Sequence, residues 1–159
     1  MTYVILNLVL VAALIGIDQA IKYWAVEVLQ PVVAMPLIPH VVELRFTYNQ
    51  GMSFSLLSGQ RWLLVGVTSV ALVAVAYWLF FRCRSDRLRQ AAFVLVLAGG
   101  IGNLIDRIVS GQVVDYINLL FMRFAIFNFA DICICVGVGL WVLSIFFEEC
   151  RKEENPKEP

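Results

Sequence analysis

Long apolar stretches separated by shorter polar ones dominate the chain. A bilayer core about 30 Å thick needs about 20 apolar residues of helix. Stretches that approach this length predict membrane spans at about residues 3–22, 61–81, 90–107 and 124–147. The pattern therefore predicts an all-α integral membrane protein with four transmembrane helices in a single domain, residues 1–147. Residues 148–159 are charged and contain proline, which is typical of a disordered tail.

One connection has a different character. Residues 28–58 contain Pro31, Pro36 and Pro39, which exclude a continuous helix. Residues 42–47 then alternate apolar and polar positions, the period of a half-buried strand. This segment therefore predicts a small β element that lies on the membrane surface.

Composition supports the membrane class and excludes others. The chain is 61% hydrophobic and 15% charged, whereas soluble domains carry about 45–50% apolar and about 25% charged residues. The formal net charge is zero, so no overall field attracts nucleic acid. The 4 cysteines and the 1 histidine show no metal-ligand spacing. We therefore expect no nucleic-acid partner, no metal and no cofactor.

The arginine-rich connection between the second and third spans predicts the orientation. Residues 82–89 contain arginines at 82, 84, 87 and 89 against one acidic residue, and such an excess marks the cytoplasmic side. Both termini are then cytoplasmic, whereas the β element and residues 107–127 face outward. Residues distant in sequence converge on this outer boundary: Asp18, Asn49, Asn103, Asp106, Asp115, Asn128 and Asp131.

Two aspartates in this layer suggest acid–base chemistry. We expect Asp115 and Asp131 to meet in space, where repulsion and burial raise one pKa so that the pair holds one proton. The ionised member can then deprotonate a water molecule while the protonated member polarises a carbonyl group. Which aspartate carries the proton stays open at this stage.

Helical spacing connects further polar residues to the pair. Asn128 precedes Asp131 by three positions, which places it on the same helix face, where it could hold a substrate carbonyl or orient the carboxylate. Lys22 follows Asp18 by four positions, as part of the site or as a simple helix-end ion pair. Two alternatives, a scaffold network or substrate contact, remain for Asn103, Asp106 and Arg107. Close helix packing is expected at Gly99, Gly100 and Gly102.

Two other classes of protein remain as alternatives. A proton-coupled transporter subunit would use Asp18, Asp106 and Asp131 as a relay. A non-catalytic membrane assembly factor would need only the glycine-rich helix packing. The predicted clustering of carboxylates at one boundary, instead of across the bilayer, favours acid–base catalysis by the aspartate pair over both alternatives.

The polar residues fall into five blocks, which are Asp18-Gln19-x-x-Lys22, Tyr48-Asn49-x-Gly51-x-x-Phe54-Ser55, Gly99-Gly100-Ile101-Gly102-Asn103-Leu104-Ile105-Asp106-Arg107, Gly111-x-Val113-Val114-Asp115-Tyr116-Ile117 and Phe127-Asn128-x-Ala130-Asp131. With these blocks the chain resembles lipoprotein signal peptidase (signal peptidase II), a family of bacterial aspartic membrane proteases. The second block departs from the usual family pattern at Gln50, Met52 and Ser53, within the implied substrate groove.

The resemblance implies a catalytic dyad of Asp115 and Asp131 and no cofactor. It implies a multi-pass protein of the bacterial plasma (inner) membrane that cuts diacylglyceryl-modified prolipoproteins just before the lipidated cysteine. The same resemblance implies membrane lipid as a partner and inhibition by globomycin-type cyclic peptides. The residues implied to line or brace the site are Asp18, Lys22, Asn49, Gly51, Asn103, Arg107, Asn128 and Ala130.

Overall fold

The computed structural model describes residues 2–51, 59–83 and 86–154. Over these residues, four helices are long and apolar enough to cross a membrane, which confirms the expected fold class. Short π-helical turns extend the first two helices to Leu29 and Arg82. In chain order the elements are α1 (Thr2–Trp24), β1 (Ala34–Ile38), β2 (Val42–Asn49), α2 (Arg61–Tyr77), α3 (Arg87–Val109), β3 (Val113–Leu119) and α4 (Phe129–Glu154).

Helix α3 is the central helix of the bundle. Half of its apolar window is buried, against 17 to 22% in the other three spans, and it packs on α1, α2 and α4. Its glycines allow this approach, since a Cβ at Gly99 would lie closer than 3.0 Å to the carbonyl oxygen of Ala130. A Cβ at Gly102 would be similarly close to Oδ2 of Asp18. The expected close packing is therefore present, and at Gly102 it brings α3 against the carboxyl group of Asp18.

A three-stranded antiparallel sheet, in the order β1-β2-β3, lies at one end of the bundle. The register changes between Leu44 and Thr47 of β2, which places Thr47 opposite Asp115. Such a bulge bends a strand and re-aims its side chains. Beneath the sheet, Val114 and Tyr116 share an apolar cluster with the end of α1.

The connection from α3 to β3 is short because a glycine ends the helix. Gly111 has a φ of 82°, the left-handed conformation that closes many helices. Its N–H donates to the carbonyl oxygen of Asp106 at 3.2 Å. The chain therefore enters β3 directly at Val113, and Asp115 lies close to the end of α3.

The β element is larger than predicted. The strand expected at residues 42–47 is present as β2, but α1 and its π-helical turn occupy the chain up to Leu29, so the segment starts later than residue 28. Pro36 lies in β1, an edge strand where its missing N–H is tolerated. Strand β3 was not predicted, because residues 113–119 were interpreted as part of a connection. Residues 52–58, including Met52 and Ser53, lie outside the described residues.

The fourth helix also differs from the prediction at both ends. It begins at Phe129 and not at 124, because Phe127 pairs with Ile117 of β3. It continues to Glu154, so the expectation of a disordered tail was wrong for residues 148–154. Glutamate, lysine and arginine favour helix, which explains this extension. The rest of the predicted tail, residues 155–159, lies outside the described part of the chain.

Candidate active site

The start of α4 is built around a reciprocal pair of hydrogen bonds. Oδ1 of Asn128 accepts the backbone N–H of Asp131 at 3.0 Å, and Oδ2 of Asp131 accepts the backbone N–H of Asn128 at 3.1 Å. This is the geometry of a capping box, with asparagine and aspartate in the two roles. The carboxylate of Asp131 is thereby fixed at the positive end of the helix, which favours negative charge.

Asn128 also connects this helix to Asp115. The side chain of Asn128 is completely buried, and its Nδ2 donates to Oδ1 of Asp115 at 2.7 Å. The same nitrogen lies 3.1 Å from Oδ1 of Asn103, whose own Nδ2 donates to Oδ1 of Asp131 at 2.8 Å. The two aspartates are therefore held on either side of one asparagine, from two different elements.

A buried lysine supports this arrangement from below. Lys22 is 3% exposed, and its Nζ lies 2.9 Å from Oδ2 of Asp18 and 2.9 Å from Oδ2 of Asp106. Its third contact is a 2.8 Å hydrogen bond to Oδ1 of Asn103. Three donors meet three acceptors, so the lysine is fully satisfied. The sequence left two roles open for Asp18 and Lys22. A simple helix-end ion pair does not describe them, because Lys22 also contacts Asp106 and Asn103 of α3.

Asp18 and Tyr116 accept hydrogen bonds from two further backbone N–H groups in the first turn of α4. Oδ1 of Asp18 accepts the N–H of Ala130 at 3.2 Å, and the hydroxyl oxygen of Tyr116 accepts the N–H of Phe129 at 3.0 Å. Burial raises the pKa of Tyr116 above its ordinary value, so the hydroxyl stays neutral. Helix N–H groups without a helical partner need such acceptors. The position of Asp131 is therefore set by α1 and β3 together.

Arg107 connects the site to the end of β2. One guanidinium nitrogen donates to the carbonyl oxygen of Gly51 at 2.9 Å, and the N–H of Gly51 donates to Oδ1 of Asn49 at 2.9 Å. Nδ2 of Asn49 then donates to Oδ2 of Asp115 at 3.0 Å. Arg107 thus positions the turn from which Asn49 reaches the aspartate, and its charge is held close to the pair.

The environment of Asp115 changes its acidity. The side chain is 2% exposed, and burial, followed by the negative charge of Asp131, raises its pKa to about 7. Hydrogen bonds from Asn49 and Asn128 and the charge of Lys22 act in the opposite direction. A carboxyl group with this pKa is partly protonated at neutral pH and can act as an acid.

An open cleft of about 580 Å³ gives access to Asp115. Its walls are the end of β2, Asp115 and Asn118 of β3, and the connection between β3 and α4. The cleft is therefore outside the spans and next to the aspartate pair. Its polar lining consists of Thr47, Tyr48, Asn49, Asp115, Asn118 and Arg123.

Every residue of the site predicted from the sequence lies in this one hydrogen-bonded network. Gln19 and Tyr116 belong to it as well but were not predicted as site residues. Gln19 donates to both Asp18 and Asp106, at 3.2 and 3.1 Å. Its place beside Asp18 was the available signal, whereas nothing in the sequence shows that Tyr116 meets α4. Among the described residues, no group of histidine, cysteine, aspartate and glutamate is arranged to hold a metal.

Comparisons with known proteins agree with this fold. The family described as Signal peptidase (SPase) II matches residues 10–147. A lipoprotein signal peptidase of Halalkalibacterium halodurans is 36% identical, covering 98% of this chain and 99% of the relative. One of Streptococcus pyogenes serotype M2 is 39% identical, covering 91% and 93%.

Solved structures show the same architecture. A bacterial membrane enzyme determined by the in meso method at 2.3 Å resolution superposes with a TM-score of 0.83 and 27% identity, covering 96% of this chain and 91% of that one. A second, at 1.9 Å resolution, gives a TM-score of 0.80 and 28% identity, covering 87% and 91%. Fold and site together define a small multi-pass bacterial membrane enzyme.

The family match over residues 10–147 identifies the kind of membrane enzyme more specifically. The chain belongs to the signal peptidase II family, and it is accordingly a membrane-embedded aspartic peptidase.

Proposed function

We propose that this peptidase removes the signal peptide from diacylglyceryl-modified prolipoproteins, cutting just before the lipidated cysteine. The observation that carries the proposal is the placement of Asp115 and Asp131 on either side of Asn128, with Asp115 lining an open cleft. Two carboxyl groups that share one proton are the minimal machinery for hydrolysis of a peptide bond without a covalent intermediate.

The two carboxyl groups take different parts in the reaction. Asp131, partly exposed at the start of α4, accepts a proton from a water molecule as the water oxygen attacks the scissile carbonyl carbon. Protonated Asp115 donates its proton to the carbonyl oxygen. In the second half, the leaving nitrogen takes the proton from Asp131, the C–N bond breaks, and Asp115 regains its proton as the new carboxyl group forms.

The other residues of the network position this pair. Asn128 and Asn103 fix the distance and orientation of the carboxyl groups, while Asp18 and Lys22 hold the N-terminus of α4 through Ala130. The turn that supplies Asn49 is held by Gly51 and Arg107. Preorganisation of this kind lets the acid and base act without rearrangement.

The position of the site suits a substrate that stays in the membrane. Its acyl chains remain in the bilayer, while the scissile bond reaches the carboxylates at the end of the spans. Arg89, at the opposite end of the bundle, pairs with Asp86 and Glu148. An arginine-rich end is typical of the cytoplasmic side, which supports cytoplasmic termini and an active site at the outer face. Membership of the signal peptidase II family supports inhibition by globomycin-type cyclic peptides that occupy this site.

Cleavage of a defined prolipoprotein by the purified protein tests the proposal. We expect a single cut, located by mass spectrometry, on the N-terminal side of the lipidated cysteine. The same prolipoprotein without the diacylglyceryl group should be cut at least about 100-fold more slowly, because anchoring orients the scissile bond. Equal rates on both substrates would contradict lipid-dependent recognition, and no cleavage of either would contradict the proposed activity.

The pH dependence of the same reaction follows from the aspartate pair. Since the protonated form of Asp115 is required and its pKa is about 7, kcat should fall as the pH rises through neutrality. The loss should approach tenfold per pH unit above the apparent pKa of the pair. Rates measured from about pH 5 to about pH 9 check this, and a flat profile above neutrality would contradict an acid role for Asp115.

A further inference from the structure

The cleft beside the aspartate pair carries an uneven charge. Its lining contains two ionisable groups with opposite charges, Asp115 and Arg123. The pKa of Asp115 is raised to about 7, so at neutral pH much of it is neutral. The cleft that receives the substrate is therefore positively charged at Arg123.

No contact within the described residues gives Arg123 a role in holding the fold together. It is exposed, and among residues 2–51, 59–83 and 86–154 it makes no ion pair, hydrogen bond or ring contact. Arg45, on the neighbouring strand β2, differs because its guanidinium lies 3.5 Å from Glu43 and it does not line the cleft. The positive charge of Arg123 is thus available to a bound substrate.

The direction of the cleft indicates which part of the substrate meets Arg123. Asp115 lies near the start of β3, close to the end of α3, whereas Asn118 lies three positions further along the strand. At about 3.4 Å per residue, this is about 10 Å from Asp115. Arg123 follows in the connection beyond β3, where the chain reverses before Phe127 pairs with Ile117, so it lies at the end of the cleft opposite the junction of α3 with β3. The signal peptide enters from the membrane, and the chain that follows the lipidated cysteine leaves at that end.

We infer that Arg123 is a specificity-determining residue that favours prolipoproteins with an acidic side chain shortly after the lipidated cysteine. This inference rests on the proposed function, because it assigns the outer part of the cleft to the mature portion of the substrate. The guanidinium group recognises a carboxylate by charge-assisted hydrogen bonds. Complementary charge at an exposed site selects between partners more than it adds affinity.

Charge reversal on both molecules tests the inference. Three diacylglyceryl-modified substrates would differ in one residue, aspartate, asparagine or lysine, at the second or third position after the cysteine. The wild-type protein should cleave the aspartate substrate with a kcat/KM about five- to tenfold above that of the lysine substrate. Arg123→Gln should remove the difference, and Arg123→Glu should reverse the order. The preference should also shrink at high salt, since exposed charges are screened.

Arg45→Glu is the matched control, because it makes the same change of charge on the same sheet but outside the cleft. It should keep the wild-type order of substrates. If wild type and Arg123→Glu show the same order, or if Arg45→Glu reverses it equally, the inference is overturned while the proposed function stands. If wild type cleaves none of the three substrates, the proposed function itself fails, and the inference fails with it.

Discussion

Asp115→Asn and Asp131→Asn should each reduce kcat by about 10³-fold or more while leaving a folded protein. Asparagine keeps the shape of aspartate but can neither accept a proton from water nor donate one to the carbonyl oxygen. Both halves of the proposed reaction need both groups, so the double variant should be little worse than either single one. Single-turnover cleavage of a modified prolipoprotein would measure the effect, together with substrate binding, which should change far less.

The stability of Asp115→Asn distinguishes lost chemistry from lost structure. Because the pKa of Asp115 is raised in the folded protein from 3.8 to about 7, the carboxyl group is increasingly unfavourable to folding as the pH rises between these values. Removing it should therefore increase the free energy of unfolding relative to wild type, on the order of a few kcal/mol at neutral pH and above, and little near pH 4. Asparagine at this position keeps only one acceptor oxygen, so the hydrogen bond from Asn49 or from Asn128 is lost, and this loss offsets part of the gain in stability.

Asp86→Asn is a matched control for the same chemical change. Asp86 caps the start of α3 at the other end of the bundle, where Oδ1 accepts the N–H of Arg89 at 3.0 Å. This variant should lose at most about 1 kcal/mol of stability and keep its activity. Near-normal turnover by either Asp115→Asn or Asp131→Asn would show that the two-aspartate mechanism is wrong.

The sequence was sufficient to predict the spans because twenty apolar residues have few alternatives to a membrane helix. The same hydrophobic signal was uninformative at β3. Residues 113–119 do not alternate apolar and polar positions, since Asp115 lies within their buried start, and such a run resembles a connection between helices as much as a strand. Only pairing with β2 makes it a strand, and that pairing is a long-range contact.

The sequence indicated which residues belong to the site but not which of them are hydrogen-bonded to one another. Charged residues among apolar ones are costly, which identified Asp18, Lys22 and Asp131 as candidates. The spacing of Asn128 and Asp131 predicted one helix face, yet the structure places Asn128 before the helix as its cap. The role of Tyr116 depends on the distance between a strand and a helix terminus, which no periodicity in the sequence records.

Lys22→Met should be the most destabilising single substitution in the network. It removes the one ammonium group that lies 2.9 Å from each of Asp18 and Asp106, and both carboxylates are then buried without an ion-pair partner. Breaking a buried ion pair by removing one partner costs about 3–5 kcal/mol, mostly because of the charge left behind. The thermal unfolding midpoint of the purified protein should fall accordingly. Activity should also be lost, because Lys22 no longer fixes Asp18, whose carboxylate accepts the N–H of Ala130 at the start of α4.

The loss should depend on the stranded charges rather than on the missing side-chain volume. Adding Asp106→Asn to Lys22→Met should therefore restore part of the stability, a non-additive result that a double-mutant cycle would quantify. Arg45→Met provides the comparison, since its exposed pair with Glu43 is worth less than about 1 kcal/mol. If Lys22→Met were as mild as Arg45→Met, the buried lysine would not be what holds α1, α3 and the start of α4 together. Asp131 would then owe its position to the capping box with Asn128 and to the hydrogen bonds made by Asn103 and Tyr116.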